Sequence, residues 1–167
     1  MLAGNFMRPL MRPPMGHLRP RLPPLLLPDQ HAIHELMTSP ALLDFAALTE
    51  LASRSEAVTV ACACNATPTD GWQTLPLSMP EAQLHVAGTL AEQHQDDATF
   101  AEYHPDGTRY WSADAPIAPR YFPYNRCTVS ECTVCGRSYL RYVEGGGYFV
   151  DQRIRQLKAS LLVDAAL

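Results

Sequence analysis

Residues 132–140 read Cys-Thr-Val-Cys-Gly-Arg-Ser-Tyr-Leu, CTVCGRSYL, and the reading of these nine residues decides the rest of the chain. Two cysteines with two residues between them suit a redox pair, half of a metal site, or two small core residues. A redox pair places its first cysteine at a helix N-terminus, where the helix lowers the thiol pKa. Here Cys135 leads through Gly136 and Arg137 into a β-rich run, so that support is missing. A metal knuckle is a tight turn that points both sulfurs at one ion, with a following glycine to accept the unusual backbone angles. CTVCG followed by SYLRYVE-GGG-YFVDQRIRQL, two alternating segments around three glycines and hence a β-hairpin, meets each requirement.

Knuckle and hairpin together resemble those of zinc ribbons and rubredoxin-like proteins, over about residues 127–157. Those families close the site with a second C-x-x-C, which this chain lacks. The longer phrase GTRYWSADAPIAPRYFPYNRC…CGRSYLRYVEGGGY is similar to small proteobacterial proteins, a likeness that implies no particular activity.

Structural zinc takes four nitrogen or sulfur donors in a tetrahedron. Besides Cys132 and Cys135 the chain holds Cys62, Cys64 and Cys127, and the candidates are ordered Cys132 and Cys135, then Cys64, then Cys62 and Cys127. Residues 57–64, AVTVACAC, alternate as a strand with Cys62 and Cys64 on one face. Same-face neighbours in a flat strand sit roughly 7 Å apart, whereas two zinc-bound sulfurs lie nearer about 4 Å. Both bind one ion only if the chain curls after Cys62; otherwise Cys127 is the fourth ligand. With four thiolates the shell is closed and Zn2+ is structural. Iron is the lesser candidate, and five free core thiols are the bland alternative. Five is an odd number and no secretion signal is visible, so disulfides are not expected and a reducing cytoplasm is.

The chain of 167 residues is long enough for one domain with a hydrophobic core. Its net charge of -4 is uneven. Residues 1–28 hold four arginines, no acid and seven of the 15 prolines. Residues 29–125 hold 13 acids against Arg54, Arg109 and Arg120, and residues 126–167 are mildly basic. We read residues 1–36 as a disordered Pro/Arg-rich leader and 37–167 as a single domain, with a native start at Met1 or Met37. No run of 18 apolar residues suggests a membrane span.

Within the domain, a helix is expected from Ser39 as N-cap with Pro40 in the first turn. A strand is expected in AQLHVAGTLA, a hairpin at YHPDGTRYWS around Pro105–Gly107, and an extended edge or surface run in ADAPIAPRYFPYN. The tail KASLLVDAAL suits helix or strand. The fold class is therefore α+β, an N-terminal helix on a small antiparallel sheet of hairpins with a zinc-ribbon-like knuckle.

The leading functional expectation is a zinc-stabilised module that binds another protein, the acidic body suiting a basic partner. The first alternative is a nucleic-acid binder. Arg153 and Arg155 share a strand face by alternation, Arg141 is placed on the same side across the pair, and Tyr139 is among the aromatics available for base stacking. The second is an enzyme with an unadvertised site. No H-x-E, H-E-x-x-H, G-x-S-x-G, P-loop or dinucleotide motif is present.

Overall fold

The computed structural model describes residues 39–92 and 98–167; the leader assigned to 1–36 lies outside them. Among the described residues one α-helix, α1 (Phe45–Glu56), accompanies five strands: β1 (Gln73–Thr74), β2 (Leu84–Thr89), β3 (Thr128–Cys132), β4 (Ser138–Gly145) and β5 (Val150–Gln156). The strands form one antiparallel sheet in the order β1-β5-β4-β3-β2. The α+β class read from the sequence is the class observed.

The helix begins later than the Ser39–Pro40 signal suggests. Asp44 is its N-cap, its carboxylate accepting from the Ala47 amide at 2.7 Å. The residues before it are diverted into the sheet. Thr89 of β2 donates to Ala41 O at 2.9 Å and accepts from Leu43 N at 2.8 Å, and two ladder bonds outweigh one serine cap. Leu48, Leu51, Ala52 and Ser55 form the buried stripe of α1, three- and four-residue steps that place them on one face.

The β4–β5 hairpin is as expected, with Gly145 opposite Val150. Its register settles which side chains share a face, since directly paired residues point the same way. Leu140 pairs with Val129 on one side and Arg155 on the other, and Tyr142 pairs with Arg153; this face meets α1. Tyr139 pairs with Ser130, and Arg141 with Ile154; this is the opposite face. Arg141 therefore does not lie beside Arg153 and Arg155, contrary to the sequence reading.

Both faces are covered. Under α1, Leu48, Leu51 and Ala52 pack with Trp72, Tyr124, Val129, Leu140, Tyr142 and Leu157. Burial pushes the phenols of Tyr124 and Tyr142 up to about 12, so both remain neutral hydrogen-bonding members of that core at physiological pH. Behind the sheet a second, smaller cluster gathers Cys64, Met79, Cys132, Tyr139 and Ile154.

Three further expectations change. The Pro105–Gly107 turn forms, with Gly107 at φ +73° and its amide on His104 O at 3.2 Å, but its flanks do not pair as strands. Tyr110 stacks on Trp72 instead, and the His104 ring bonds Thr108 and Glu102 locally. The proline-rich run after it is not a surface segment. Ala115, Ile117 and Ala118 are fully buried, and Ile117 bridges to Leu162 in the tail. That bridge holds the tail, which forms only a 3₁₀ turn at Ala159–Leu161.

Candidate metal centre

The expected strand at 57–64 does not form. The chain runs past Val58 and then tightens into a 3₁₀ turn at Ala63–Asn65, with Cys62 at its N-cap and the Asn65 amide on Cys62 O at 3.0 Å. This is the curl after Cys62 that a shared ion requires. It brings two sulfurs that a flat strand would hold apart to one point.

The second pair comes from the turn joining β3 to β4. Cys132 ends β3, its carbonyl accepts from the Gly136 amide at 2.8 Å, and its own amide bonds Arg137 O at 2.8 Å. Gly136 sits at φ +80°, left-handed backbone that costs a side-chain-bearing residue about 1–2 kcal/mol. The glycine of CTVCG thus does what the motif demands.

The four sulfurs of Cys62, Cys64, Cys132 and Cys135 lie within 4.8 Å of one another. Cys62 Sγ is 3.9 Å from Cys132 Sγ, and Cys64 Sγ is 3.5 Å from Cys135 Sγ. Zinc–sulfur bonds of about 2.3 Å in a tetrahedron set sulfur–sulfur edges of about 3.8 Å. These two distances bracket that length. Cys64 and Cys132 are buried, while Cys62 and Cys135 are half-buried, so the cluster has an inner and an outer side.

Donors point at these sulfurs. The backbone amide of Cys64 favours the charged form of Cys62 and holds that thiol down to about 7. Tyr139 Oη donates to Cys64 Sγ at 3.2 Å and to Cys64 O at 3.0 Å. Arg137 Nη1 donates to Cys135 Sγ at 3.6 Å. Burial pushes the Cys64 and Cys132 thiols up, because a thiolate formed there loses its hydration and has no cation beside it. A divalent ion removes that obstacle, and four cysteines so placed are able to hold one.

Cys127 does not join them. It is fully buried under α1, its thiol donates to Pro123 O at 3.3 Å, and burial raises its pKa well above the ordinary value. It is a core thiol, set apart from the centre because the curl at Cys62–Cys64 supplies both remaining ligands.

The residues of the proposed nucleic-acid face are also placed elsewhere. Tyr139 and Arg155 are fully buried. Arg155 donates to Asp70 O at 3.0 Å, Ala113 O at 3.3 Å, Ala115 O at 2.6 Å and Tyr124 Oη. Arg153 pairs with Glu144 at 2.6 Å and Asp151 at 3.0 Å and lies over Trp111. Arg141 pairs with Glu81 at 2.7 Å. Stacking bases on this set needs exposed aromatics and uncommitted cations, and these residues are neither. The burial of Tyr139 follows from its register opposite Ser130, two residues before Cys132 on the same face. That signal requires β3, whose TVSEC sequence gives no strong alternation.

Among the described residues no helix is long and apolar enough to cross a membrane. No protein-family model matches the chain, and neither does any curated protein or solved structure.

Proposed function

We propose that the four-cysteine centre binds zinc and that the ion is structural. The observation that carries this is the convergence of four sulfurs from two segments some 70 residues apart. Four thiolates complete a tetrahedral shell and leave no position for water or substrate, as structural rather than catalytic zinc requires. The knuckle of residues 132–136 and its following hairpin agree with the zinc-ribbon-like resemblance, the 3₁₀ turn at Ala63–Asn65 standing where a second C-x-x-C would be. The test is metal content. Wild-type protein and Cys127→Ser carry one zinc per chain, and Cys64→Ser and Cys132→Ser carry little. Equal loss in all three variants, or no metal in the wild type, rejects the assignment.

The domain so held is an interaction module in this reading, its contact for a protein partner being the tip of the β4–β5 hairpin. Val143, Tyr148, Phe149 and Val150 are all exposed there, Tyr148 completely. Aromatic side chains of this kind anchor protein interfaces. A photo-cross-linking residue at position 148 captures a discrete partner in cells while one at Glu50 on α1 does not. Identical patterns from both positions remove the tip from consideration.

A further inference from the structure

Arg137 is a buried cation with no carboxylate beside it. Its residue is 5% exposed, and among the described residues none of the ion pairs includes it. Its two hydrogen bonds run from Nη1 to Cys135 Sγ at 3.6 Å and from Nη2 to Val58 O at 3.0 Å. The other buried arginine makes a useful contrast. Arg155 meets three carbonyls and a phenol, enough acceptors to disperse its charge. Arg137 has one carbonyl and one sulfur. A buried charge needs a counter-charge or a full set of acceptors, and a neutral thiol is a weak acceptor. A thiolate bound to a divalent ion is a good one, since four thiolates and one such ion carry a net double negative charge.

We infer that Arg137 is a positioning residue of the metal centre, its guanidinium offsetting the charge on Cys135 and tying the segment that carries Cys62 and Cys64 to the knuckle through Val58 O. The inference rests on the metal reading above. Both ends of the link are short in sequence terms: Val58 lies four residues before Cys62, and Arg137 two after Cys135. One side chain therefore spans the two halves of the ligand set, from the outer side where Cys135 is half-buried. Tyr139 does the corresponding work on the inner side, at Cys64.

Cobalt(II) as the probe separates this role from packing. Sulfur-to-cobalt charge-transfer bands report electron density on the thiolates, and the ligand-field bands report the tetrahedron. Arg137→Gln is expected to bind cobalt about 10–100-fold more weakly, the usual effect of losing an outer partner of a metal ligand. Its charge-transfer band moves to lower energy, its ligand-field bands stay, and its metal-free form melts as the wild type does. Arg137→Lys keeps the charge but not the fork, so its band remains near the wild-type position and its affinity falls between the two. Arg137→Gln with affinity within twofold of wild type and an unmoved band overturns the assignment while leaving the metal reading intact. Should that variant not fold, the lysine variant decides, an affinity unchanged within twofold being the contrary result. A wild type that takes up no cobalt overturns both.

Discussion

Chelating the ion is expected to lower the melting temperature of the protein by roughly 15 °C. Binding contributes about 10–16 kcal/mol in finger peptides that have no other source of stability. Here the larger core under α1 contains none of the four ligands, so the metal-free chain keeps a folded body and only part of that energy appears as lost stability. A third of it is about 4 kcal/mol, and for a body of this size each kcal/mol moves the midpoint by roughly 4 °C. The loss falls on the second cluster, where Cys64, Cys132, Tyr139 and Ile154 pack behind the sheet. Scanning calorimetry with and without a chelator checks the shift, and zinc added back restores it. Cys127→Ser shows the same chelator sensitivity, since its sulfur lies in the other core.

Arg155→Ala is expected to leave the protein unfolded or nearly so. The guanidinium serves Asp70 O, Ala113 O, Ala115 O and Tyr124 Oη from a fully buried position. An unsatisfied buried polar group costs about 1–3 kcal/mol, so four of them exceed about 4 kcal/mol before the cavity is counted. Whole domains are stable by only about 5–15 kcal/mol. Arg155→Met, which keeps the length and removes the donors, is expected to be almost as damaging, and it isolates hydrogen bonding from volume. A urea midpoint for Arg155→Met close to wild type contradicts this account. Arg54→Ala is the control. Arg54 bonds Glu50 and Glu131 with half its side chain exposed, and exposed pairs of this kind contribute at most about 1 kcal/mol.

The contrast between these two arginines marks what the sequence makes legible. Local rules worked where the local chain decides. CTVCG specifies its own turn through one glycine at positive φ, three glycines specify the β4–β5 hairpin, and the strand expected in AQLHVAGTLA is β2. They failed where partners distant in sequence decide. Ser39 and Pro40 form a good helix start, yet residues 41–43 are drawn onto Thr89. AVTVACAC alternates like a strand, yet among the described residues it pairs with no strand and the chain curls at Ala63–Asn65. For the site this mattered directly, because that curl is what brings Cys62 and Cys64 together and releases Cys127 to the core.

Period-two reasoning also placed Arg153 and Arg155 on one face, and the register agrees. It carried no information about which face was covered. α1 and the run from Ala113 to Tyr124 lie over that side, so an arginine expected in solvent is buried among carbonyls. The aim of the Tyr139 phenol at Cys64 depends on β3, which the sequence does not mark. The two sulfur donors, Arg137 and Tyr139, follow the knuckle at alternate positions and are recognisable only once Cys132 and β4 are known to share a face.

The most direct measurement is the zinc K-edge absorption spectrum of the purified, unsupplemented protein. Four sulfur neighbours at about 2.3 Å and no lighter scatterer in the first shell are the expected result, with one zinc per chain. A shell with two sulfurs completed by nitrogen or oxygen, or a preparation that retains no zinc, contradicts the claim that Cys62, Cys64, Cys132 and Cys135 together grip one ion.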